Sequence, residues 1–276
     1  MTNIYADNSE YAVSSWLLDK YPVGQAPAML AKQGFRNVTL GANTVHLDPQ
    51  VSPDVPAIRK TLREQALSVH SVHAPFRHVA FPHPQDALAF AAYRMELWKE
   101  TARYCSELES GIMVVHALDR REYNSMAEEY QKIGETLQEI STYAGKLGVT
   151  IALENITGSQ TPEVRKKEFA CTLENQARLY RDAGVKFCLD IGHAPLSGMD
   201  PFTEADAAGW DLITFHIHNN DGTRDAHALP NNGIIDWSAL RAHIRALGFG
   251  GIFVLEVFGG EQPEAVLDRL ANLFAE

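Results

Sequence analysis

The chain has 276 residues, 35 acidic against 24 basic for a formal net charge of −11, and is 45% hydrophobic. That length suits a single α/β barrel domain of about 250 residues, and the apolar fraction excludes a disordered chain. No run approaches the roughly 18–20 apolar residues of a membrane span, the polar start MTNIYADNSE lacks the order of a secretion signal, and the acidic balance speaks against a protein built to grip nucleic-acid phosphates.

In chain order, short apolar, β-branched runs alternate with helical stretches. The expected strands are Glu10–Trp16, Arg36–Leu40, Leu67–His73, Gly111–His116, Val149–Glu154, Val185–Asp190, Leu212–His218 and Gly251–Glu256. Amphipathic segments of helix length and period lie between them, among them Asp86–Leu108, Ser125–Leu147, Leu173–Ala183, Trp237–Leu247 and Gln262–Phe274. Gly34, Gly148, Gly184 and Gly248 stand where helices should stop. Seven or eight βα units over residues 1–276 predict one α/β domain, a (β/α)8 TIM barrel. A doubly wound open sheet is the competitor, but no glycine-rich phosphate loop follows the first strand. Cys105, Cys171 and Cys188 form no CxxC pair, so neither a disulfide framework nor a thiolate metal site is expected, and the chain reads as cytoplasmic.

Residues i and i+2 of a strand share a face. Counted back from the run ends, the groups predicted to point inward are Val69–Ser71–His73, Ile112–Val114–His116, Thr150–Ala152–Glu154, Lys186–Cys188–Asp190, Leu212–Thr214–His216 and Ile252–Val254–Glu256. Six strands thus end in an ionisable side chain aimed into one mouth, on the face where barrel enzymes place their chemistry. Glu154, Asp190 and Glu256 would repel one another there, and a divalent cation removes the conflict. Imidazole with carboxylate is the ligand mixture of zinc or manganese sites. His193, Asp225 and His227 lie just past strand ends and join the candidates. His46, His70, His78, His83 and His243 read as surface or packing residues, and Trp16, Trp98, Trp210 and Trp237 as core, with pocket lining the alternative.

The pieces SVHAPF (Ser71–Phe76), VVHAL (Val114–Leu118), IALEN (Ile151–Asn155), LDIGHA (Leu189–Ala194), HIHNNDGTRDAH (His216–His227), NNGIIDW (Asn231–Trp237) and LEVF (Leu255–Phe258) occur in this order. The ordered set resembles the xylose isomerase-like TIM barrels, a superfamily that includes sugar (phosphate) isomerases and epimerases and the endonuclease IV proteins. The endonuclease IV pattern implies three ions. His73 and His116 would bind one, with Glu154 bridging to a second that also takes Asp190, His216 and Glu256. His193, Asp225 and His227 would hold the third. The epimerase pattern implies one manganese-like ion on Glu154, Asp190, His216 and Glu256. Two departures bear on substrate contacts: Asn219 stands where the family has Asp, and Asn231 and Asn232 replace glycines.

The expected function is therefore a divalent-metal-dependent isomerase or epimerase of a small sugar, keto sugar or sugar phosphate. Its cofactor would be zinc, up to three ions, or manganese. Glu154 and Glu256 would exchange the substrate's protons through an enediolate. Asn155, His218, Asn220 and Arg224 are candidate substrate contacts, with support of the ligands from behind or direct ligation as alternatives for His218. The competing reading is a zinc-dependent hydrolase of a small phosphate ester, and a third is a metal-holding protein without catalysis. The partner is a small molecule; no nucleic acid and no membrane are expected, and the oligomeric state is left open.

Overall fold

Runs such as Val38–Leu40, Met113–Val115 and Ile151–Leu153 carry too much β-branched and large apolar surface to stand alone, and all of them become strands of one closed sheet. The computed structural model describes residues 8–42, 44–76, 86–117, 125–157 and 171–273. Its strands are β1 (Tyr11–Ser14), β2 (Asn37–Gly41), β3 (Ser68–His73), β4 (Ile112–His116), β5 (Thr150–Glu154), β6 (Lys186–Asp190), β7 (Leu212–Ile217) and β8 (Phe253–Leu255). Each pairs in parallel with the next, and β1 closes the ring on β8. The chain is a (β/α)8 TIM barrel, and the closure excludes the open doubly wound sheet.

Around the barrel run α1 (Ala26–Lys32), α2 (Val55–Glu64), α3 (Ala87–Glu107), α4 (Met126–Gly145), α5 (Leu173–Tyr180), α6 (His193–Leu196), α7 (Pro201–Ala208), α8 (Trp237–Ala246) and α9 (Pro263–Leu273). Several of their starts are fixed by side-chain caps. Asp86 accepts from Ala89 N at 2.9 Å, Ser125 from Glu128 N at 3.2 Å and Asp236 from Ala239 N at 3.0 Å. Each cap satisfies a helix-end donor and stabilises by about 1 kcal/mol. The four glycines expected to stop helices take φ from 75° to 93°. Among the described residues no helix is long and apolar enough to cross a membrane.

The core lies mainly between barrel and helices, where Val13, Val38, Leu40, Met113, Val115, Ile151, Leu153, Phe187, Leu189, Phe215 and Leu255 are buried. The opposite parity fills the barrel, with Val114, Ala152 and Cys188 packed against Ile112 and Ile213. Alternation fails in two strands. In β3, Val38 pairs with Val69 but Thr39 with Ser71, so His70 is an extra residue. Val69 joins the outer core, and His70 reaches Thr214 Oγ1 at 3.1 Å. In β7, Phe187 pairs with Leu212 but Cys188 with Thr214, which leaves Leu212 in the outer core and Ile213 inside. The inward groups expected to begin at Val69 and Leu212 are corrected accordingly, because a bulge resets the two-residue period.

Candidate metal centre

The six ionisable residues read from the strand ends do converge. His73, His116, Glu154 and Asp190 are the last residues of β3 to β6, His216 is the penultimate residue of β7, and Glu256 follows β8. Register sets His116 opposite Glu154 and Asp190 opposite His216. All six residues are buried, none more than 8% exposed. Ionisable groups so removed from water need charge partners.

Two local devices bring in the remaining residues. Asp190 Oδ1 accepts from His193 N at 2.9 Å, which turns the chain into α6 and swings the His193 ring back over the mouth. The β7–α8 connection folds on itself: Asn219 N donates to Ala228 O at 3.0 Å and Ala228 N to Asn219 O at 2.9 Å. The Asn219 amide fastens this loop. Its Nδ2 donates to Pro230 O and Ile235 O at 2.8 and 2.9 Å, and its Oδ1 accepts from Asn220 N and Ile235 N at 2.9 and 3.1 Å. An aspartate could not make the two donations, which accounts for the amide at this position. Gly233 is required beside it, since an added Cβ would lie 2.2 Å from Asn219 Oδ1. The fold-back returns Asp225 and His227 to the mouth, with His227 at φ 43°. That left-handed backbone is held by Phe258 N donating to His227 O at 2.9 Å and by His227 Nδ1 donating to Glu256 O at 2.7 Å.

Three adjoining donor groups result. His73 Nε2 and His116 Nε2 lie 3.1 and 3.2 Å from Glu154 Oε2. His216 Nδ1 lies 3.2 Å from Glu154 Oε2 and 3.2 Å from Glu256 Oε2, with Asp190 in the same group. His193 Nε2 and His227 Nε2 lie 3.3 and 3.4 Å from the two oxygens of Asp225. Donors about 2.0–2.1 Å from a common tetrahedral centre stand about 3.3 Å apart, so these spacings fit a zinc-sized cation. Polar satisfaction points the same way. His116 Nε2, both nitrogens of His216 and Asp225 Oδ1 are buried and have no hydrogen-bond partner among the described residues. Ring orientation is fixed from behind: His73, His193 and His227 each donate Nδ1–H to a backbone carbonyl at 2.7–2.8 Å, which leaves Nε2 to face the group.

Protons balance the charges in the protein alone. Burial pushes Glu154 up, but the imidazoles of His216 and His116 outweigh it and hold the carboxyl well below its usual range. Glu256 is held at about 2 in the same way, burial being outweighed by His216 and His227. Asp225 is likewise kept below the carboxylate range by His193 and His227. Conversely, burial disfavours charge on His193, yet Asp190 and Asp225 raise it to about 10; His227 rises to about 9 through Asp225 and Glu256. A divalent cation would take the place of these protons, since an imidazolium has no lone pair to give.

The nine residues expected to ligate are all brought together. Of the candidate substrate contacts only His218 joins them. Asn155 is fully buried, its Nδ2 donating to Asp190 O at 3.0 Å and its Oδ1 accepting from Asp190 N at 2.8 Å. Asn220 Nδ2 donates to Gly192 O and its Oδ1 accepts from Gly222 N, both at 2.8 Å. Both amides brace backbone, which adjacency in sequence cannot reveal. Arg224 is exposed, and His218 is buried inside the cluster. His46 and His243 pack as expected, on Tyr21 O and Asp206, while His78, His83 and Leu118 lie outside the described residues.

Sequence reasoning placed Trp16 in the core, yet its half-buried ring meets His227 edge-on at 5.5 Å and Phe76 at 6.3 Å. Phe76 in turn covers His73 and His116 at 4.7 and 4.5 Å. Phe76 stands in the SVHAPF piece, three residues past a ligand candidate, which was the available signal. Trp16 had none beyond its place just past the end of β1.

Comparison with known proteins agrees with this architecture. The profile of the family described as xylose isomerase-like TIM barrel matches residues 27–276. The uncharacterized protein y4fM of Sinorhizobium fredii is 22% identical over 245 residues, 80% of this chain and 76% of the relative. Among solved structures, a D-tagatose 3-epimerase-like protein superposes with a TM-score of 0.77 at 20% identity over 96% of both chains. An IOLI protein with a binding zinc atom gives a TM-score of 0.74 at 16% identity, also over 96% of both.

Proposed function

Because the chain belongs to the xylose isomerase-like TIM barrel family, we propose that it is a divalent-metal-dependent isomerase or epimerase of a small sugar, keto sugar or sugar phosphate. The observation that carries this reading is the pair Glu154 and Glu256, which approach the one nitrogen His216 Nδ1 at 3.2 Å each from strands β5 and β8. Two carboxylates held ionised on either side of one point are the arrangement a proton shuttle between two faces of a carbon needs. The D-tagatose 3-epimerase-like neighbour supports the choice of substrate class.

Glu154, Asp190, His216 and Glu256 would hold the ion nearest this pair, with His73 and His116, and His193, Asp225 and His227, as two further sites. Zinc fits the imidazole-rich donor sets, and the neighbour with a zinc atom supports it; manganese is the alternative. When bound, such an ion supplies Lewis-acid polarisation of a carbonyl and its neighbouring hydroxyl. Glu154 and Glu256 carry the protons: one carboxylate takes the proton from the carbon beside the carbonyl, and the other returns one to the opposite face of the substrate's enediolate. Trp16 and Phe76 shield the histidines from water. In this reading the enzyme works in the cytoplasm on a small molecule and on no nucleic acid, and three buried thiols support a reducing compartment.

Incubation of the zinc- or manganese-loaded protein with ketoses and sugar phosphates in D2O tests the reading. Deuterium at the carbon beside the carbonyl, lost in Glu256→Gln, is the expected result. The second reading, hydrolysis of a small phosphate ester, is favoured by the first and third donor groups, which a one-ion design does not use. Release of inorganic phosphate without carbon exchange would put it first. Metal uptake with neither activity across both panels would leave a metal-holding protein.

A further inference from the structure

His218 falls within the third cluster, beside His193, Asp225 and His227, but its contacts differ from theirs. It is fully buried and donates from Nε2 across both oxygens of Asp190, at 2.9 and 3.0 Å. Its ring stacks on His227 with centroids 3.9 Å apart and planes at 19°. The same ring occupies the space over Gly192, where an added Cβ would come within 2.0 Å of Cε1 and 2.6 Å of Nε2. One imidazole therefore touches a member of the second donor group and a member of the third.

Distances decide whether this ring is a fourth ligand of the third group or its support. His193 and His227 approach Asp225 at 3.3 and 3.4 Å, the spacing of ligands sharing a zinc-sized centre, whereas His218 Nε2 stays 3.9 Å away and closer to Asp190. Ligand histidines commonly anchor their second nitrogen. His73, His193 and His227 do so on backbone carbonyls, but His218 Nδ1 has no partner among the described residues.

The geometry points to His218 as a positioning residue that holds Asp190 for the second ion and the His227 ring for the third, so that both sites depend on one side chain. The inference rests on the proposed metal sites and deepens them. Without His218 the Asp190 carboxylate keeps, among the described residues, the bond from His193 N alone, and His227 loses the face that stops it tilting. Removal of an outer partner of this kind lowers metal affinity 10- to 100-fold. Gly192 acquires a reason in the same step: any larger residue evicts the ring.

Zinc alone is the probe, titrated against a chromophoric chelator into wild type, His218→Ala, His218→Gln and Gly192→Ala. The expected result is a 10- to 100-fold weaker affinity at two sites in His218→Ala and Gly192→Ala, with the His73/His116 site closer to wild type. His218→Gln, whose amide reaches the place of Nε2, should recover the Asp190-dependent site but not the His227-dependent one. Cobalt spectra add a readout that space-filling does not move: the visible bands of the third site should keep their energies in His218→Gln. Wild-type affinity in both His218→Ala and Gly192→Ala would overturn the assignment, as would cobalt bands showing that a nitrogen ligand has gone. If His218→Ala does not fold, the glutamine and Gly192→Ala proteins give the same decision. A wild-type protein that takes up no zinc would instead sink the metal reading itself.

Discussion

Gln176 on α5 donates from Nε2 to the backbone carbonyl of Glu154 at 2.9 Å, so a helix outside the barrel fixes the strand end that carries the central carboxylate. That helix is itself seated by Glu204 on α7, whose Oε2 accepts from Leu173 N at its first turn. Glu204 is fully buried, and burial pushes its carboxyl from 4.5 to about 7.

A pH dependence follows. Between 4.5 and about 7 the unfolded chain has lost this proton while the folded chain keeps it, so stability falls as pH rises through that window and the loss is complete above it. The change amounts to about 3 kcal/mol. Urea midpoints of metal-free wild type and Glu204→Gln at pH 5 and pH 8 should differ in this respect. Wild type loses stability between them, and the variant, with nothing to ionise, loses that much less. Parallel behaviour of the two proteins would show that Glu204 is already ionised at pH 5.

Metal uptake should expel protons. His193 and His227, raised to about 10 and about 9, are charged at pH 7.5 and must become neutral to offer Nε2. Zinc entry at their site is expected to release about two protons and to weaken as pH falls, because the competing proton gains. Calorimetry in buffers of different ionisation enthalpy measures the number; no release at pH 7.5 would mean that these rings are neutral beforehand.

Glu154 Oε2 serves two groups, whereas Asp225 serves one. Elemental analysis of protein purified without chelator should therefore show Glu154→Ala losing more zinc than Asp225→Ala, which gives up a single equivalent. One equivalent in wild type, abolished by Glu154→Ala or Asp190→Ala and untouched by Asp225→Ala or His227→Ala, would discard three-ion binding and favour the one-ion epimerase design.

Asn219→Asp should cost about 2–3 kcal/mol, since a carboxylate would face Pro230 O and Ile235 O with no proton to donate. Thermal melts and zinc affinity at the Asp225/His227 site should fall together, because the loop that presents both residues is fastened by this amide. A melt unchanged within a degree would mean that the backbone pairing with Ala228 holds the loop unaided.

The strand ends were legible because an ionisable residue closing an apolar run has only the mouth to occupy: Glu154 after Ile151–Leu153 could be placed by parity alone. His193 could be placed through Asp190, since an aspartate three residues ahead caps a turn. Direction within the mouth was not legible. Asn155 and Asn220 sit next to ligand candidates yet spend their amides on backbone, and nothing in their sequence neighbours encodes that. His70 packs inside the barrel as an extra residue, which a period of two has no means of announcing.

The two inserted residues, His70 and Ile213, have a larger effect than their own contacts. Val69 and Leu212 face the helices, so an uninterrupted pleat from either would carry His73 and His216 outward as well, under α-helical cover. Each irregularity acts as a half-turn in the ribbon. Deleting either residue would restore plain alternation and leave the imidazole facing inward, whereas a strand that kept the residue but ironed out the irregularity would turn that imidazole out of the cation-binding ring, so the centre's assembly is written in chain spacing as much as in amino-acid type.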